Sequence, residues 1–237
     1  MKKGAIIGIV IGLVVLVIVG VGGYMFFNDA TQKAKILETF GEIEELTKSG
    51  DFEIAQLEEK TSTIVSSGKY ANVEKAAKNY AHDLFSKAFE MKSLLEDQKM
   101  AQLLTASNYE TDGPEFVETK KYITETKQKL QDGKTQMLGF VEEDKINSYI
   151  EAETNDSYSI DLYRQLLAED IEMPESEKKG LETSIDKVIS MLEIEEEVIN
   201  FLVENKGKWR VQGGQILFET NSLVTQYNGF LTKLRIL

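Results

Sequence analysis

Lys206–Thr220, KGKWRVQGGQILFET, breaks the pattern of the chain around it. Most of the sequence repeats its apolar residues every three or four positions. This stretch alternates every second residue, turns on two glycines and alternates again, and it holds the only tryptophan. A Gly213-Gly214 pair tolerates positive φ at both central positions of a two-residue hairpin turn. That turn sets the register: Gln212 faces Gln215, Val211 faces Ile216, Arg210 faces Leu217, Trp209 faces Phe218 and Lys208 faces Glu219. Trp209, Val211, Ile216 and Phe218 then share one face, and a slip of one residue would mix the two faces. A ribbon this short is marginal alone and must lean on other structure. The expectation is a hairpin over 208–219 that caps helices and returns the chain as a final helix, with Leu223, Val224, Tyr227, Leu231 and Leu234 on one side. The sharper alternative gives part of its apolar face to a partner or ligand.

Upstream of the hairpin the spacing is helical. Ile36, Leu37, Phe40, Ile43 and Leu46 form one stripe. KSGD at 48–51 reads as a stop and restart, and a short helix follows to about Val65. Val73, Ala77, Tyr80, Leu84, Ala88, Met91 and Leu95 predict a long helix reaching about Leu104. NYETDGPEF reads as a loop, with Pro114 suited to a first helical position. A helix is expected from Pro114 to about Ala152, with Gly133 and Gly139 as places to bend or break. Further helices are expected near Ser159–Asp170 and from Pro174 to Asn205. Several helices with one apolar face each must bury those faces against one another, so the fold class is mainly α, a helical bundle.

The N-terminal end has a different character. Gly4–Phe27, GAIIGIVIGLVVLVIVGVGGYMFF, is 24 residues without a charge. A bilayer core about 30 Å thick needs about 20 helical residues. Lys2 and Lys3 precede the run, which places the N-terminus in the cytoplasm and the remainder outside. Tyr24, Phe26 and Phe27 suit the far interface. A cleaved signal peptide is the alternative; its apolar region is shorter, and Val21-Gly22-Gly23 offers only a poor cleavage site. We therefore expect residues 1–28 to form an uncleaved transmembrane anchor and 29–237 an extracytoplasmic domain. Gly4, Gly8 and Gly12 make a GxxxGxxxG stripe, which fits close approach of a second helix, as in a homodimer through the span, or ordinary membrane glycine.

Charge and composition narrow the function. The chain has a formal net charge of −13. Setting aside Lys2 and Lys3 leaves 25 of the 27 bases against all 40 acids, or −15 beyond the apolar run. Such a surface repels phosphate backbones, so no nucleic-acid partner is expected. With no cysteine there are no disulfides, thiolate metal sites or cysteine nucleophiles. His82 is the only histidine, which excludes two-histidine zinc motifs and paired histidine–glutamate iron sites. DGKT at 132–135 lacks the earlier glycine of a phosphate loop, because position 128 is Gln128. EIEEE, Glu193–Glu197, reads as a solvated helix face. Neither an enzyme nor a cofactor is expected. The layout, with its MKKGAIIGIVIG start and acidic helical remainder, resembles bacterial single-pass envelope proteins in general. The expected role is an interaction or scaffold module docking envelope partners; the alternative is a ligand-binding sensor that relays through a membrane partner.

Overall fold

The computed structural model describes residues 30–48, 54–167 and 174–237. The anchor segment 1–28 with its Gly4, Gly8 and Gly12 stripe, the restart at 49–53 and residues 168–173 lie outside the described residues. The described chain is mainly helical, with one two-stranded antiparallel hairpin and a final helix. The helices are α1 (Ala30–Lys48), α2 (Ile54–Ser62), α3 (Lys69–Leu95), α4 (Gln98–Gln102), α5 (Ala106–Thr111), α6 (Val117–Phe140), α7 (Glu143–Glu153), α8 (Ser157–Leu166) and α9 (Glu175–Glu204). Then come β1 (Trp209–Gln212), β2 (Gln215–Phe218) and α10 (Asn221–Ile236). Among the described residues, no helix is long and apolar enough to cross a membrane.

The chain divides into two compact units. One contains Met91–Gly133 and Thr183–Leu237; the other contains the described residues from 30 to 90 and Lys134–Glu182. The second unit buries the stripes expected of α1 and α3: Ile36, Phe40 and Ile43 on α1, and Val73, Ala77, Tyr80 and Leu84 on α3. Tyr163 of α8, fully buried, donates its hydroxyl to the Ile146 carbonyl of α7 at 2.9 Å.

Several boundaries differ from the sequence expectation, each for a local reason. The helix expected to reach Leu104 ends at Leu95, because the Asp97 carboxylate caps a new turn by accepting from the Lys99 N–H at 2.8 Å. The expected loop NYETDGPEF holds α5, which Thr105 caps by accepting from the Asn108 N–H. Pro114 does not open α6. It follows Gly113 through a cis peptide bond, and α6 begins at Val117, where Asp112 accepts from the N–H groups of Glu118 at 3.2 Å and Thr119 at 2.7 Å. That carboxyl is held below the usual carboxylate range: partial burial opposes ionisation, but the bonds from Thr119 and Glu118 outweigh it. Gly133 does not break the helix. It lies inside α6 against Met91, whose Sδ would stand 2.1 Å from an added Cβ. The break comes instead at Val141-Glu142, between α6 and α7.

Candidate functional site

The hairpin adopts the register its sequence dictates. Trp209 pairs with Phe218, Arg210 with Leu217, Val211 with Ile216 and Gln212 with Gln215. The Glu219 N–H donates to the Lys208 carbonyl at 3.0 Å, so the ribbon continues one pair further. Gly213 and Gly214 have φ of +60° and +73°, a region that L side chains enter only with strain. Trp209, Val211, Ile216 and Phe218 are half-buried, while Arg210, Gln212, Gln215 and Leu217 are exposed.

The inner face is anchored by a chain of rings within the same unit. The Trp209 indole stacks on Phe116 with centroids 5.9 Å apart and meets the edge of Tyr109 at 6.2 Å. Its Nε1–H donates to the Leu202 carbonyl at 2.7 Å. Leu202 lies in the last turn of α9, where a carbonyl has no intrahelical donor, so the indole satisfies a group the helix leaves open. On the other strand, Phe218 packs against Phe201 of α9 at 6.0 Å and Tyr227 of α10 at 5.2 Å. The hydroxyls of Tyr109 and Tyr227 meet at 2.9 Å in a buried bond that ties α5 to α10. Burial pushes both phenols up, Tyr109 further because Tyr227 and the buried Glu195 lie nearby. Lys206–Glu115 and Lys233–Glu197 ion pairs, both at 2.8 Å and well exposed, flank the cluster.

Phe116 lies under the indole with φ of +53°, the left-handed region, and is fully buried. A bulky residue there costs on the order of 1–3 kcal/mol. The stacked indole and the packed Tyr109 ring, with centroids 5.8 Å from Phe116, hold it in place.

Other candidate positions fall elsewhere. His82 is on the surface, its Nδ1 3.3 Å from Asp83 Oδ1. DGKT lies inside α6. EIEEE is only partly solvated: Glu195 is buried, Glu196 pairs with Lys127 at 2.5 Å and Glu197 with Lys233. Among the described residues, no group of three or more histidine, aspartate or glutamate side chains is placed to hold a metal ion.

The second unit holds an element that sequence reasoning missed. Glu74 and Lys78, one turn apart on α3, form a fully buried ion pair at 2.6 Å. The pair clasps the connector between α2 and α3. Lys78 Nζ donates to the Thr63 carbonyl at 2.5 Å, and Glu74 accepts from the N–H groups of Val65 at 3.0 Å and Ser66 at 2.8 Å. Burial disfavours the Glu74 carboxylate, yet Lys78 and the two backbone donors together hold its pKa below the usual range. An i,i+4 Glu–Lys pair in a helical sequence ordinarily reads as surface decoration; nothing in its spacing marks it as buried.

Comparison of the chain with family models, curated proteins and solved structures finds no match.

Proposed function

We propose that the protein is a single-pass, membrane-anchored helical protein whose larger part lies outside the cytoplasm and acts as an interaction or scaffold module of the cell envelope. The observation that carries this reading is the juxtaposition in sequence of Lys2 and Lys3, the charge-free run Gly4–Phe27, and a remainder of net charge −15. The described residues of the remainder are mainly helical, and helices that bury one face against one another leave their outer faces for docking. The hairpin supports a structural rather than a ligand-binding part for its inner face. All four of its inward side chains are half-buried, and its Trp209 and Phe218 are engaged by α5, α9, α10 and the Phe116 loop. Its outward face, with Arg210, Gln212, Gln215 and Leu217, is left for a partner.

The test is photo-crosslinking in intact membranes from Arg210 and Leu217, each replaced in turn by a photoreactive residue. The scaffold reading expects the same small set of envelope proteins to be captured in repeated experiments. Capture must fall when Leu217→Asp is introduced alongside the Arg210 probe. No captured protein from either position, with the chain present at its normal level, would contradict it.

A further inference from the structure

The clasped connector presents two aliphatic side chains to solvent. Between α2 and α3 the backbone of Thr63–Ser67 is fixed from below, and Ile64 and Val65 remain 37% and 40% exposed. A connector needs neither a buried ion pair nor two outward β-branched residues to join two helices. Here the Glu74–Lys78 pair, whose desolvation is costly, holds the backbone on either side of Ile64 and Val65.

The location of this pair is informative. Ser67 is bonded to Gln32 twice: its N–H donates to Gln32 Oε1 at 3.1 Å, and Gln32 Nε2 donates to Ser67 Oγ at 3.2 Å. Gln32 lies in the first turn of α1 and only five residues beyond Phe27, the end of the charge-free run. Whatever the path of the intervening chain, five residues span no more than about 18 Å. The connector is therefore tied to the start of α1, the end of the second unit that follows the apolar run in the chain. The same end carries Lys69, its Nζ 3.4 Å above the Tyr158 ring, and Tyr70, whose hydroxyl is 3.4 Å from that of Tyr158. Aliphatic side chains beside tyrosines and a long-stemmed lysine are the composition that suits the boundary between headgroups and acyl chains.

We propose that the Thr63–Ser67 connector is a membrane-contact element: Ile64 and Val65 dip into the phospholipid interface and fix how the second unit stands on the bilayer. This inference rests on the anchor reading of Gly4–Phe27. Its occupant is the bilayer surface, reached because the anchor holds the connector close to it.

The chain has no native cysteine, so Ile64→Cys and Val65→Cys can each carry a single environment-sensitive fluorophore in the full-length protein. Each labelled protein is reconstituted into phosphatidylcholine–phosphatidylglycerol vesicles. Alkaline carbonate extraction on the same sample reads the anchor separately from the label. The expected result is a chain retained by the vesicles, with emission shifted to the blue and quenched by a nitroxide on the lipid headgroup more than by aqueous iodide. A retained chain with red-shifted, iodide-quenched emission at both positions would overturn the connector proposal and leave the anchor standing. Release of the chain by carbonate would overturn both. Placing the label at two adjacent positions, each already partly exposed, guards against one substitution that disturbs folding.

Discussion

Replacing Trp209 with alanine removes three things that can be counted separately. Two are ring contacts, to Phe116 at 5.9 Å and Tyr109 at 6.2 Å, each contributing about 0.5–1.5 kcal/mol beyond area burial. The third is the Nε1–H bond to the Leu202 carbonyl at 2.7 Å; leaving a buried acceptor without its donor costs about 1–3 kcal/mol. A fully buried tryptophan loses about 3–5 kcal/mol on truncation. Because Trp209 is only half-buried, the loss should fall at the lower end, about 3 kcal/mol. At about 1.4 kcal/mol per tenfold, that is roughly a hundredfold change in an opening equilibrium. Amide hydrogen exchange on the full chain in detergent micelles reads it directly. Amides of β1, β2 and α10 should exchange roughly a hundredfold faster in Trp209→Ala. Trp209→Phe keeps a ring but loses the donor, so it should fall between the two. Unchanged protection of the hairpin and α10 in Trp209→Ala would refute the capping role. Loss of crosslinked partners with that protection intact would make the indole a docking residue instead.

The buried hydroxyl pair predicts non-additivity. Tyr227→Phe strands the Tyr109 hydroxyl and should cost about 1–3 kcal/mol in denaturant unfolding, while adding Tyr109→Phe should restore part of the loss. Gly214→Val forces a β-branched residue to φ of +73° and should weaken protection across β1 and β2 without altering α3. Glu74→Gln leaves the Lys78 ammonium buried without its counter-charge and should destabilise by about 3–5 kcal/mol near neutral pH, measured by urea unfolding. The folded-state pKa of Glu74 is lowered, so its contribution is present above the unfolded carboxylate value and is lost as pH falls through the folded one. The gap between wild type and Glu74→Gln should therefore narrow on acidification below the ordinary carboxylate range. A gap independent of pH would refute the ionic clasp.

The hairpin was readable to the residue because its cues are local. A Gly-Gly turn and strict alternation leave one register, and Trp209↔Phe218 follows. Helical stripes were equally plain on α1, α3 and α9, where Ile36, Val73 and Ile199 are all buried. What the sequence concealed depends on contacts between distant residues. Asp97, two residues past the end of α3 at Leu95, caps α4, and it also accepts from the Tyr122 hydroxyl at 2.8 Å, 25 residues away. Tyr109 and Phe116 looked like loop residues around a proline, since their value lies in meeting Trp209 nearly a hundred positions on. Glu74 and Lys78 have the spacing of a surface pair, and only the fold of the connector over them makes the pair internal. Glu195 was likewise lost among three other glutamates, although only its side chain is buried within Glu193–Glu197. Of the hairpin site, the four inward residues were legible and the aromatic partners that hold them were not.

The central claim, a short cytoplasmic N-terminus followed by a span and an extracytoplasmic helical domain, is tested most directly by thiol accessibility in the cysteine-free chain. Lys2→Cys and Val224→Cys, the latter at an exposed position on α10, are each expressed at native level and treated with a membrane-impermeant maleimide on intact cells stripped of wall. The account predicts that Val224→Cys is labelled at once and stays with the membrane fraction, while Lys2→Cys is labelled only after permeabilisation. Labelling of Lys2→Cys in intact cells with Val224→Cys protected would reverse the topology, and a labelled Val224→Cys released into the medium would contradict the anchor itself.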